Sequence, residues 1–176
     1  MDRFMEEVVV KKQRGLNELL YVLSMVAMVV MGVVGYATLM LVFRQFNVMV
    51  LIFALVSLAG AFLIFLFRDR LRTEYEYTFT SGALDFAMVF NNKKRKSLGS
   101  LAVNRVEAFG PVNGSAFQRY LSMPGMKRNN WFLNRGAELY YFYIQKENTK
   151  RLIILEPSEE MVAYIKFYLP HGAWQE

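Results

Sequence analysis

The chain is 176 residues long, carries a formal net charge of +6, and contains no cysteine and one histidine, His171. Without cysteine there are no disulfides, thiolate metal sites or thiol chemistry, and one histidine is too few for the usual His-rich zinc sites. The positive charge is too thin for the dense basic face of a nucleic-acid binder, so no nucleic-acid partner is expected; a membrane surface suits modest, clustered charge better.

In chain order, residues 1–18 form a cytoplasmic juxtamembrane segment. Residues 1–15 (MDRFMEEVVVKKQRG) set Phe4, Met5, Val8 and Val9 on one helical face, with basic residues at the membrane-proximal end. That pattern fits a helix lying along the interface; a short frayed helix in the cytosol fits as well. Residues 19–43 follow without a charge, and residues 48–67 are a second uncharged run. A helix crossing about 30 Å of hydrocarbon needs about 20 such residues, so both runs qualify as transmembrane helices. The external loop between them, residues 44–47, closes a tight helical hairpin. A cleaved signal peptide is the competing reading of the first run, but its apolar core is too long and a second run follows at once. Lys11, Lys12, Arg14, Arg68, Arg70 and Arg72 flank the outer ends, whereas the loop holds only Arg44. Lysine and arginine favour the cytoplasmic side, so the expected topology is two spans in the cell membrane with both termini cytoplasmic. Neither span carries an ionisable residue, which argues against a transport path. Gly32 and Gly35 on the first span, and Ser57, Gly60 and Ala61 on the second, would allow close backbone approach; background use of small residues in membrane helices explains them equally.

A basic linker, residues 68–72, leads into a cytoplasmic domain at residues 73–170, where the period changes to two. Tyr75, Tyr77 and Phe79 alternate with Glu74, Glu76 and Thr78 in a half-buried strand. After the turn at Thr80, Ser81 and Gly82, residues 83–90 alternate again. Residues 91–96 (NNKKRK) read as a polar turn, residues 97–103 as a third strand and residues 105–112 as a fourth, closed by Gly110-Pro111 and the Asn113-Gly114 turn. Residues 113–137 mix turn residues with aromatics and are expected to hold one or two short strands. Residues 139–145 and 151–155 form a hairpin across residues 146–150; both strands are apolar on both faces and so central and covered. Ser158 caps a final helix with Glu159 and Glu160 in its first turn. Its stripe is Met161, Val162, Ile165, Tyr168 and Leu169, and Pro170 stops it. Residues 171–176 are a tail, and His171 reads as a mobile tail residue.

Strands followed by one amphipathic C-terminal helix resemble the pleckstrin-homology-like (PH-like) superfold. The run EYTFTSGALDFAMVFNNKKRKSLGSLAVNRVEAF looks like the opening of bacterial PH-like domains, in which a similar pattern follows a pair of membrane helices. The fold implied is α+β: a two-helix transmembrane hairpin, then a PH-like antiparallel β barrel or sandwich capped by a C-terminal α-helix.

Two sites are candidates for function. Lys93, Lys94, Arg95 and Lys96, together with Arg68, Arg70 and Arg72, are candidates for membrane-surface contact. The first strand carries the chain about 26 Å outward and the second brings the basic turn back, where each cation beside an anionic leaflet contributes about 1 kcal/mol before screening. The plainer alternative is a solvated hairpin that protects a sheet edge. Phosphoinositide-binding PH domains place their basic motif around the first hairpin, which here is Thr80-Ser81-Gly82, so the lipid reading is confined to unspecific attraction to anionic lipid headgroups. Tyr120, Met126, Lys127, Arg128, Trp131 and Phe132 are candidates for binding a protein partner; the plainer alternative is that these aromatics pin a loop to the core. Glu74 and Glu76 share a strand face as neighbouring carboxylates, which a polar strand face also produces. With no phosphate loop, nucleophile elbow or metal cluster, neither enzymatic activity nor a cofactor is expected. The expected role is an interaction module at the membrane, a scaffold or accessory subunit, with lipid sensing as the alternative.

Overall fold

The computed structural model describes residues 3–146 and 149–176 and divides into two units, Gln13–Thr73 and Met1–Lys12 with Glu74–Glu176. The expected turn over residues 146–150 includes Glu147 and Asn148, which lie outside the described residues, as do Met1 and Asp2.

The first unit is a helical hairpin. Helix α1 runs Arg14–Arg44 and helix α2 runs Val48–Phe67, both long and apolar enough to cross a membrane. Asn47 starts α2 because its side-chain oxygen accepts from the Met49 and Val50 amides at 2.9 and 3.4 Å, satisfying donors the helix leaves free. Gly35, Ala54 and Ser57 are buried where the helices meet. A Cβ on Gly35 would stand 2.8 Å from Leu58 Cγ and 3.1 Å from the Leu58 backbone nitrogen, whereas one on Gly32 meets nothing within 4 Å. Gly35 is thus a position where close packing requires glycine, because a backbone atom is among its near neighbours; at Gly60 a Cβ would meet the end of the flexible Met31 side chain. Gly35→Ile is expected to destabilise the hairpin by about 1–3 kcal/mol through overpacking, while Gly32→Ile leaves it unchanged. Thermal unfolding of the two variants in detergent checks this, and equal stability would contradict it.

A 3-10 turn, Arg68–Arg72, closes the hairpin. Arg72 pairs with Glu18 and lies 3.8 Å from the Tyr21 ring centroid. The Arg68 guanidinium reaches Met25 Sδ at 2.8 Å, and Arg70 stacks on Phe67 at 4.7 Å. Arg68 and Arg72, expected at the membrane surface, therefore tie the end of α2 back to α1. Arg70 is the exposed one of the three.

The second unit is a two-sheet sandwich. Strands β1 (Phe4–Val9), β2 (Thr73–Thr80), β3 (Ala83–Phe90) and β4 (Lys94–Ala102) form one sheet in that order. The amphipathic N-terminal helix expected from Phe4, Met5, Val8 and Val9 is a strand, antiparallel to β2 with Met5 opposite Phe79 and Val9 opposite Tyr75. The segment before the hairpin is therefore part of the β unit, and α1–α2 is an insertion between two adjacent strands.

The second sheet has the order β5 (Ala108–Pro111), β7 (Tyr140–Lys146), β8 (Thr149–Leu155) and β6 (Met126–Trp131), with β6 parallel to β8 and the rest antiparallel. Its central strands are covered on both sides, as their apolar character requires. Phe142, Ile153 and Leu155 face the core between the sheets, where Tyr77, Phe79, Leu84 and Phe86 meet them. Tyr141, Tyr143, Leu152 and Ile154 face the other way and are covered by Phe117 and Tyr120 of a short helix, α3 (Ser115–Leu121). Residues 113–137, expected to hold one or two short strands, hold one, β6, and also α3, which supplies that cover.

Helix α4 (Glu159–Tyr168) closes the sandwich with Met161, Val162 and Ile165 inward. Ser158 caps it as expected, its Oγ accepting from the Met161 amide at 3.2 Å. Gly82 adopts φ +92°, and a Cβ there would lie 2.8 Å from the Tyr168 ring, so the turn after β2 needs glycine both for its backbone and for the helix above it. The tail is not mobile: Phe109 N–H donates to Ala173 C=O, the Gln175 N–H donates to Phe109 C=O, and Trp174 packs on Phe109. His171 itself is exposed.

Candidate functional site

Three regions of the β unit bear on binding. At the β3–β4 corner the chain reverses at Asn91 and Asn92, both with positive φ, and β4 begins at Lys94. Lys94, Arg95 and Lys96 therefore belong to a strand, opposite Phe90, Val89 and Met88, and only Lys93 lies in the turn where all four were expected. Arg95 reaches across β3 to Glu76 on β2, Nε to Oε2 2.8 Å. That pair accounts for Glu76, one member of the neighbouring carboxylates. Lys93, Lys94 and Lys96 are exposed with no carboxylate partner among the described residues. They stand at the end of the sheet where β1 ends and β2 begins.

The aromatics of the excursion are mostly committed to the interior. Tyr120 stacks on Tyr143 with centroids 4.6 Å apart, and Trp131 packs on Phe86 at 4.7 Å. Both are buried, while Phe132 and Met126 pack against the α3 side of the second sheet. Lys127 and Arg128 are exposed on β6. The six expected partner-binding residues thus do not form one exposed patch: Tyr120 and Trp131 pin the excursion, and the two cations remain free.

A hydrogen-bonded clamp fixes β1 against the loop after β6. The Asn134 side-chain amide donates to Val10 C=O at 2.9 Å and accepts from the Lys12 N–H at 2.8 Å, as a neighbouring strand would. Glu156 orients it, accepting from Asn134 Nδ2 at 2.8 Å and from the Asn134 backbone N–H at 3.0 Å. Glu7 on β1 accepts from both the backbone N–H and the Oγ of Ser158 at 3.0 Å, holding the cap of α4. The buried Tyr77 hydroxyl donates to Trp131 C=O and accepts from the Glu156 N–H.

Burial pushes the Tyr77 phenol well above its ordinary value, and burial beside Tyr120 pushes Tyr141 up to about 12. Both pKa values are raised in the fold, so the neutral forms are favoured and the stabilisation is complete below the unfolded value of about 10. It is lost as pH rises from there through the folded values. The melting temperature is therefore expected to fall above pH 10, with phenolate absorbance showing late-ionising tyrosines released on unfolding. An alkaline transition unchanged in Tyr77→Phe/Tyr141→Phe would contradict this.

The third region is a cleft of about 630 Å³ between β4 and residues 144–146 of β7 with residues 149–153 of β8. Phe86, Trp131 and Ile153 are among its apolar lining, and Arg105, Lys146 and Arg151 supply its cations. All three cations are exposed, and no carboxylate pairs with them or lines the cleft among the described residues. The sequence hides this site because Arg105 lies far along the chain from Lys146 and Arg151. The one local signal is Gly99 inside a strand pattern, which marks a bulge; the β3–β4 register does shift there, and Gly99 has φ +136°.

No curated protein and no solved structure matches the chain. A family model described as "Bacterial PH-like domain (DUF6106)" matches residues 1–175, helices and both sheets together. The chain therefore belongs to this bacterial PH-like domain family.

Proposed function

We propose that the protein is a non-catalytic, membrane-anchored interaction module that works at the cytoplasmic face as a scaffold or accessory subunit of a membrane complex. The observation that carries this reading is the pairing of β1 with β2 on either side of the inserted hairpin. Adjacent paired strands are on one side of a bilayer, so the chain between them crosses it an even number of times. Almost nothing of α1 is buried inside the protein, and so large an apolar surface requires cover, which lipid supplies. The flanking cations orient the hairpin with its loop outside. The anchor keeps the domain at a high local concentration of membrane partners.

The chain lacks cysteine, so single introduced thiols report topology without background. In intact cells, Gln45→Cys is expected to react with a membrane-impermeant maleimide and Ser97→Cys only after permeabilisation; the reverse pattern would overturn the orientation. Affinity purification in mild detergent is expected to return a stoichiometric protein partner. Recovery of the chain alone would overturn the scaffold reading.

The exposed lysines 93, 94 and 96 favour a second reading, attraction to anionic lipid, with each cation contributing about 1 kcal/mol before screening. If it holds, the full chain in nanodiscs will bring a fluorophore on the β3–β4 turn closer to anionic than to zwitterionic lipid, and reversal of the three charges will abolish the difference. Equal signals in both lipids would refute it.

A further inference from the structure

We infer that the cleft between β4 and the facing parts of β7 and β8 receives an extended acidic peptide segment of a partner protein, which adds a strand to the free edge of β4. This rests on the interaction-module reading and gives the chemistry of the partner.

Strand β4 ends its sheet and has one neighbour, β3, so its other edge presents unpaired backbone groups. Residues 98–102 all line the cleft. Successive side chains of a strand point to opposite faces, so five consecutive lining residues show that the strand borders the cleft along its backbone edge. No Cβ obstructs Gly99, whose missing side chain would meet nothing within 4 Å, and backbone can approach closely there. Strand addition takes affinity from such main-chain groups and specificity from pockets for alternate side chains. The floor of Phe86, Trp131 and Ile153 suits apolar residues at alternate positions, and the cleft volume lies within the usual range of binding pockets.

Charge selects the occupant. Arg105, Lys146 and Arg151 stand exposed at the cleft without carboxylate partners among the described residues, so Asp or Glu residues in the added strand would complete the ion pairs. A compact anion would leave the apolar floor empty. A lipid would fill the floor and meet the cations but leave the β4 edge unpaired. An acidic strand with alternating apolar residues satisfies all three.

The test selects a random displayed peptide library on the full-length protein in zwitterionic nanodiscs, with empty nanodiscs as the counter-selection. The expected consensus alternates apolar residues with Asp or Glu. Its synthetic form should slow hydrogen exchange at β4 amides and lose at least about tenfold in affinity, or 1.4 kcal/mol, on Arg105→Glu/Arg151→Glu. The replaced residues are exposed, so the melting temperature should hold; Lys146→Glu alone is a second variant, expected to weaken binding less. No enrichment over empty nanodiscs, a consensus without acidic residues, unchanged binding to the reversed variants, or protection away from β4 would each overturn the proposal. So would native mass spectrometry showing an anionic lipid that occupies the wild type, leaves the reversed variant and blocks the peptide. A chain that co-purifies a stoichiometric partner yet selects no peptide refutes the cleft while leaving the scaffold reading intact.

Discussion

Residues 73–176 expressed alone are expected not to fold stably, and joining residues 3–12 to residue 74 through a short turn is expected to restore a folded domain. Strand β1 contributes more than an edge. Val9 is buried in the core and Met5 packs against it. Burying an aliphatic side chain of this size contributes about 1.5–3 kcal/mol. Glu7 holds the Ser158 cap, and Asn134 grips Val10 and Lys12; each such hydrogen bond contributes about 1 kcal/mol. Without β1, the edge of β2 opens, the Asn134 side-chain amide loses Val10 and Lys12, and Ser158 loses Glu7. The combined loss is several kcal/mol against a total stability of about 5–15 kcal/mol for a typical domain. Circular dichroism and urea titration of the two forms decide the matter: the joined form should unfold cooperatively and the short form should not. Equal midpoints would mean that β1 is dispensable.

Trp131→Ala is expected to cost about 3–5 kcal/mol, the range for losing a large buried aromatic, because the ring packs on Phe86 within the core. Lys127→Glu and Arg128→Glu, on exposed positions of the same strand, should each stay within about 0.5 kcal/mol. Denaturant midpoints separate the two classes. If Trp131→Ala retained full stability, the ring would instead be free to serve a partner surface, as its residue type first suggests.

The elements that were legible in the sequence are those whose pattern is local. Helix α2 occupies the whole uncharged run at residues 48–67, β2 follows its alternation, β3 follows it through Leu84 and Phe86 until the register shift beside Ala87, and α4 begins at its serine cap. Strand β1 was hidden because its inward face reads Met5, Glu7, Val9: a carboxylate stands where an apolar residue would have completed the alternation. Its partner strand is also separated from it by the entire hairpin. Glu7 is there to hold the α4 cap, which no local pattern announces. Helix α3 has 7 residues between turn signals, too few to establish a helical period. The reversal at Asn91-Asn92 comes earlier than expected because both residues adopt positive φ, which asparagine tolerates, freeing Lys94, Arg95 and Lys96 to join β4. The cleft was illegible for a different reason: Lys146 and Arg151 share one hairpin, but Arg105 and the edge of β4 come to line the same cleft only after two sheets have packed.

Strands β1 and β2 pair with a helical hairpin inserted between them, which under the proposed anchoring keeps both strands on one side of the bilayer. Glu6 faces Thr78 in that register, and directly opposed antiparallel residues lie about 4.5–5.5 Å apart, within reach of a disulfide. In native membranes treated with oxidant, the Glu6→Cys/Thr78→Cys chain should form an intramolecular disulfide rapidly, while Glu6→Cys/Asp85→Cys should not. Persistence of both free thiols in the first pair, with the protein inserted in the membrane, would contradict the account.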